Sequence, residues 1–209
     1  MDRQIERMNK ILEALSIAIP NPASELHYRS AFEFLVAVML SPQTTDQMVN
    51  RVTDRLFRVA NTPKQLLELG LEKLEHQLRT LGFYRVKSRH LLATCERLIA
   101  DFGGKVPDCY EKLRTLPGVG RKVAHVVLNS YFKRPVLAVD THVMRVTRRL
   151  GFSNSQQPLV IERDLMNVIE KRWLLKAGNL LLLHGRYTCV AKKPNCLNCA
   201  IRVWCPYGT

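Results

Sequence analysis

Four cysteines crowd the end of the chain, Cys189, Cys196, Cys199 and Cys205, and a lysine, Lys122, follows two closely spaced glycines in Leu116-Pro117-Gly118-Val119-Gly120-Arg121-Lys122. Thiolates are soft metal ligands, and four within so short a window can surround one metal centre. Spacing alone leaves its filling open. Zinc sites commonly supply two short Cys-x2-Cys pairs and this loop has one, Cys196 with Cys199, whereas an iron-sulfur cluster takes four cysteines at more varied intervals. Cys95 and Cys109 stand singly in helical patterns, so the six cysteines do not read as a disulfide framework.

The glycine-rich stretch is chemistry of a second kind. Gly118 and Gly120 permit backbone conformations that other residues resist and let a ligand approach with no side chain in the way. Amides at the start of the following helix then suit a phosphate oxygen, which carries no base information. An ordinary helix-to-helix turn is the bland alternative, and the cations Arg121 and Lys122 beside it favour phosphate. Lys122 is then either one more phosphate contact or an amine nucleophile, and position alone does not decide. As a nucleophile it must lose a proton near neutral pH, through burial or neighbouring cations such as Arg121. Asp140, in Val139-Asp140-Thr141-His142, can accept a proton or stabilise developing positive charge, and it can equally cap the helix that follows; both roles are compatible.

The elements that must position these groups are helices. Ile5, Met8, Leu12, Leu15 and Ile19 step by three and four along a first helix stopped at Pro20-Asn21-Pro22. Residues 30–40 are apolar on nearly every side and predict a buried central helix ended by Pro42. Val49, Val52, Leu56 and Val59 repeat the step. Thr62-Pro63-Lys64-Gln65 reads as a capping box opening a helix that Gly70 closes, and Gly103-Gly104 ends the stripe through Leu91, Leu98 and Phe102. Asp108 with Glu111 predicts the cap of a short helix before the glycine hairpin, and Val123, Val127 and Tyr131 continue the period after it. Beyond the extended run Val136 to Val139, helical patterns resume through Arg148, from Leu159 to Leu175 and around Leu180 to Leu183. No sustained period-two alternation occurs, so the fold class is all-α.

Thirty-two Lys and Arg against eighteen acids give a formal charge of +14, spread along a chain of 209 residues, and a polyanion is the natural partner. The 46% apolar composition supplies one large or two small cores. The longest apolar run falls well short of the roughly 18 residues of a membrane span, and no signal-peptide core follows the start, which places the chain in the cytoplasm.

Leu116 to Ala124 resembles the helix-hairpin-helix of DNA glycosylases, and Val139-Asp140-Thr141-His142-Val143 resembles the aspartate segment that follows it. Leu40-Ser41-Pro42-Gln43-Thr44-Thr45-Asp46, Val59-Ala60-Asn61-Thr62-Pro63, Leu183-His184-Gly185-Arg186-Tyr187-Thr188-Cys189 and the cysteine loop extend the likeness to the endonuclease III family through nearly the whole chain. That resemblance implies two helical lobes with a DNA cleft between them, 24–134 as a central domain and 1–23 with 135–209 as a discontinuous one. It implies Lys122 as Schiff-base nucleophile, Asp140 as its carboxylate partner, and one 4Fe-4S cluster on Cys189, Cys196, Cys199 and Cys205 in preference to zinc. It also implies base excision of oxidised pyrimidines from double-stranded DNA, β-elimination at the abasic site, and a monomer associated with the nucleoid.

A base inside a duplex must be extruded, and something must fill the hole it leaves. The resemblance points to Gln43 and to Phe83 in Leu81-Gly82-Phe83-Tyr84. Phe83 stands where the family often has leucine, and Pro42 where alanine is common; an aromatic can still wedge between bases, or it can pack in a core. Phosphate contacts are expected from Gly118, Val119, Gly120, Arg121, Lys192 and Lys193. A mismatch glycosylase acting on adenine is the nearest rival, but such relatives usually lack the lysine and extend further beyond the cysteines. A noncatalytic DNA tether is the rival from another class, and Lys122, Asp140 and the cysteine loop together speak against it.

Overall fold

The computed structural model describes residues 2–207, and among them every regular element is helical. The chain divides into two compact units: one runs from Glu25 to Phe132, and the other joins the residues up to Ser24 with those from Lys133 onward. Helix α1 (Asp2–Ala18) opens the discontinuous unit and buries Met8, Ile11, Leu12 and Leu15, a stripe the three-four spacing predicts.

In the continuous unit, α2 (Ala31–Leu40) is buried at every position from Phe32 to Leu40, as its all-round apolar character requires. Ser30 Oγ accepts the Glu33 N–H at 3.1 Å, and the Glu33 carboxylate accepts the Arg29 N–H at 2.6 Å, which closes both ends of its first turn. Helices α3 (Asp46–Val59), α4 (Pro63–Leu69), α5 (Leu71–Leu78) and α6 (Tyr84–Phe102) follow. The capping box of α4 forms: Thr62 Oγ1 accepts the Gln65 N–H at 3.3 Å, and Gln65 Oε1 accepts the Asn61 N–H at 3.1 Å. After α6 the Gly104 N–H returns to the Leu98 carbonyl at 2.8 Å.

Helix α7 (Tyr110–Arg114) starts later than the Asp108 cap predicts: Cys109 holds the N-cap position and no side chain closes it. The first backbone bond, Leu113 N–H to the Cys109 carbonyl at 3.1 Å, fixes that start. Helix α8 (Arg121–Val126) runs straight into a π-helical turn over Val127–Tyr131.

The discontinuous unit adds α9 (Thr141–Arg149), α10 (Pro158–Val168) and α11 (Leu174–Tyr187), whose Val143, Val146, Leu150, Ile161, Leu165, Ala177, Leu180 and Leu181 complete the core that α1 begins. Each fully buried aliphatic side chain contributes roughly 1.5–3 kcal/mol. The helical pattern expected from Leu159 to Leu175 is broken. Ile169 leaves α10 with extended backbone while its side chain stays buried, and Glu170 accepts from Asn9 Nδ2 at 2.7 Å and from Arg172 Nε at 2.7 Å. A tertiary anchor thus replaces a turn of helix without disturbing the apolar spacing. Where α9 meets α11, a Cβ at Gly185 would lie 3.0 Å from both His142 Cβ and Val146 Cγ2, so glycine sets how closely these helices pack.

Candidate active site and cysteine loop

The hairpin between α7 and α8 is held from behind by α6. Thr94 Oγ1 donates to the Pro117 carbonyl at 2.6 Å, and a Cβ at Gly118 would come within 2.8 Å of His90 Cβ. Gly118 also has φ +75°, so both space and backbone demand glycine there. Val119 turns its side chain into the core, and its N–H donates to the Leu116 carbonyl at 3.1 Å. The exposed surface of the turn is therefore Gly118 and Gly120, flanked by exposed Lys122. Arg121 is half-buried: its Nη1 donates to the Tyr110 hydroxyl at 3.1 Å and its guanidinium lies 5.3 Å from the Tyr110 ring centroid. Lys122 is exposed, so of the two routes to a free amine, burial and neighbouring cations, burial is not present around it.

Asp140 is the N-cap of α9. Its Oδ1 accepts the N–H groups of His142 at 2.9 Å and Val143 at 2.8 Å, which fixes the carboxylate at the mouth of that helix. The two residues singled out for the base stack both adopt left-handed backbone, Gln43 at φ +56° and Phe83 at φ +59°. Both side chains are exposed, Phe83 at 65%, so Phe83 is not a core residue. Lys193 in the cysteine loop shares the left-handed conformation at φ +53°, and Lys192 and Lys193 are exposed.

Cys189, Cys196, Cys199 and Cys205 line one cavity, walled by apolar Val146, Leu150 and Ile201. The sulfurs surround the cavity without converging: among the described residues no three His, Cys, Asp or Glu side chains are gathered to hold a single metal ion. Two arginines one turn apart on α9 fasten the loop. Arg145 donates to the carbonyls of Cys189 at 3.0 Å and Gly185 at 2.7 Å. Arg149 donates to the carbonyls of Val190 at 2.8 Å and Ala191 at 3.0 Å, and reaches Cys189 Sγ at 3.3 Å. His184 Nε2 sits 3.8 Å from Cys199 Sγ, and burial pushes this imidazole down to about 4, so it stays neutral there. Arg145 and Arg149 escape the sequence reading; their signal is an i, i+4 arginine pair on the helix that Asp140 opens. A third unanticipated residue, Lys87 on α6, is buried and donates to the turn that carries Gln43.

Residues 36–171 match the model of the HhH-GPD superfamily base excision DNA repair protein. Endonuclease III of Rickettsia conorii is 44% identical over 204 residues, covering 98% of this chain and 97% of that protein. Endonuclease III of Escherichia coli strain K12 is 43% identical over 198 residues, covering 95% and 94%. A trapped endonuclease III–DNA covalent intermediate superposes with a TM-score of 0.93 at 40% identity, covering 98% of this chain and 96% of that one. A thermostable thymine-DNA glycosylase shares the fold, with a TM-score of 0.87 at 19% identity and 97% of each chain covered. With a family model spanning most of its length and near-full-length relatives above two-fifths identity, the chain belongs to the HhH-GPD superfamily of base excision DNA repair proteins and, within it, to the endonuclease III family.

Proposed function

We propose that this protein is a bifunctional DNA glycosylase/AP lyase that removes oxidised pyrimidines from double-stranded DNA and cleaves 3′ to the resulting abasic site. The observation that carries this reading is the hairpin: two exposed glycines, tied to α6 from behind, with exposed Lys122 at the start of the next helix. The glycine amides and the N-terminus of α8 seat a phosphate, which brings the sugar within reach of an amine.

Lys122 Nζ attacks C1′ of the damaged nucleotide, the C1′–N bond to the base breaks, and the base leaves with the bonding pair and is protonated. Loss of a proton from the nitrogen and opening of the sugar give a Schiff base. Its conjugation acidifies C2′, and removal of that proton expels the 3′ phosphate by β-elimination. A hydroxyl nucleophile could not form the imine, which is why an amine belongs here. Asp140 is the carboxylate we assign to proton transfer and to stabilising charge on the sugar. The α9 amides that hold its Oδ1 keep it oriented for that work.

The four cysteines fit a 4Fe-4S cluster better than one zinc ion. Zinc sites commonly supply two short Cys-x2-Cys pairs and this loop has one, and the cysteines line a single cavity within a chain of the endonuclease III family. When bound, the cluster crosslinks the loop; Cys189, Cys196, Cys199 and Cys205 would ligate it. The loop then presents Lys192 and Lys193 to the phosphodiester backbone, alongside the hairpin contacts of Gly118, Gly120 and Arg121. Val119 serves the hairpin from inside.

Borohydride trapping on a duplex carrying thymine glycol tests the reading. The wild-type chain is expected to give a covalent adduct that Lys122→Gln abolishes, and Asp140→Asn to slow base release by 10²-fold or more. A trapped adduct in Lys122→Gln would assign the imine to another amine.

A further inference from the structure

We propose that the Lys87 side chain is the positioning group that sets the stack-filling Gln43 in the conformation that enters the duplex, from the helix whose first turn carries the second stack-filling residue, Phe83. This rests on the reading that Gln43 and Phe83 occupy the hole left by the extruded base.

Lysine is among the residues least often buried, yet Lys87 is 8% exposed. Its ammonium donates to the Leu40 carbonyl at 2.8 Å, the Pro42 carbonyl at 2.9 Å and Thr44 Oγ1 at 3.1 Å. An ammonium has three N–H donors, so all three are engaged. Its acceptors bracket Gln43 in sequence. Leu40 is the last residue of α2, where carbonyls lack helical partners and the helix dipole is negative, and Pro42 can supply no N–H to this turn. A cation with three directed donors answers that shortage as no apolar residue would. Among the described residues no carboxylate is bonded to Lys87; carbonyl and hydroxyl dipoles hold its charge, and burial draws its pKa below the usual lysine value. Mere helix packing would be served at lower cost by an uncharged side chain.

The second wedge residue is attached to the same helix. Phe83 precedes α6 with left-handed backbone and no side-chain cap, and its carbonyl accepts the Lys87 N–H at 3.0 Å. That bond is the first i→i−4 bond of α6, which any residue but proline supplies, so it ties the Phe83 turn to the helix while the lysine side chain holds the Gln43 turn. Neither Gln43 at φ +56° nor Phe83 at φ +59° is glycine, and left-handed backbone in such residues persists only where the surroundings impose it. The Lys87 ammonium is the group through which α6 imposes it on Gln43, whereas at Phe83 the first turn of α6 itself does so.

The test uses the full-length protein in single-turnover base release from a thymine glycol duplex, set beside β-elimination at a preformed abasic site, where no base has to leave the stack. Lys87→Met is expected to keep the helical spectrum and undamaged-duplex affinity within twofold, to slow base release at least tenfold, and to slow β-elimination less than threefold. Equal loss of both activities together with a lower melting temperature would indicate a purely structural lysine and overturn the proposal. Thr44→Val, which removes one acceptor from a partly exposed site, is expected to slow base release two- to fivefold without lowering the melting temperature; it decides the matter should Lys87→Met fail to fold, and an unchanged rate refutes the positioning role. With Gln43 and Phe83 both changed to alanine, Lys87→Met should add less than twofold, because what it positions is gone; a full tenfold there would show that it acts elsewhere. If Gln43→Ala and Phe83→Ala each leave base release unchanged, the stack-filling reading fails and takes the inference with it. If they slow it and the Lys87 and Thr44 variants do not, the positioning role alone fails.

Discussion

Cys95 lies wholly inside the continuous unit, and burial pushes its thiol from 9.0 up to about 12. Because the folded value exceeds the unfolded one, the folded chain keeps a proton that the unfolded chain gives up. The stability this adds is complete below pH 9 and drains away as pH climbs toward 12. Native alkylation with iodoacetamide at pH 8.5 should leave Cys95 unmodified, while denaturant exposes it to rapid labelling; peptide masses showing Cys95 labelled as fast as half-buried Cys109 in the native protein would contradict this. Single residues are also where the sequence was hardest to read. Lysine and arginine on a helix normally imply solvent, so nothing in the letters marks Lys87 as a buried clamp, and the i, i+4 spacing of Arg145 and Arg149 does not say what they fasten; these roles come from carbonyls distant in sequence. Asp140, by contrast, was readable as a cap from the helix pattern that follows it, because a cap is a local matter.

Elements were legible where their ends are written in local chemistry. Thr62, Pro63 and Gln65 announce α4, and Gly103-Gly104 closes α6, since each signal satisfies backbone groups within a few positions. The break at Ile169 was invisible because buried apolar spacing continues through it, and the π turn after α8 has no periodic signature that its neighbours lack. The hairpin lies between these cases: its glycines are conspicuous, but the reason for one of them is His90 on another helix. Gly118→Ala forces left-handed backbone on a residue with a Cβ, at about 1–2 kcal/mol, and adds the contact with His90. We expect a melting temperature lower by at least ~3 °C and weaker binding to an abasic-site analogue. An alanine variant that melts and binds like wild type would mean that the hairpin does not press on α6.

Over the whole molecule, the formal charge of +14 makes phosphate neutralisation a large part of affinity. Lys192→Ala with Lys193→Ala should weaken binding to all duplexes alike and flatten the plot of log K against log salt by about two, roughly one per lost contact; an unchanged slope would take the cysteine loop away from the DNA. The division of the chain also bears on the order in which it can fold during synthesis. Helix α1 leaves the ribosome before the continuous unit, but the residues its apolar stripe packs against lie beyond Lys133, after that unit has been made. At ordinary elongation rates of ~5–20 residues per second, Met8, Ile11, Leu12 and Leu15 wait on the order of ten seconds for their partners. Glu25–Phe132 can close in that interval, and the cysteine loop emerges later still, so the cavity lined by its sulfurs is completed only after the continuous unit has been made.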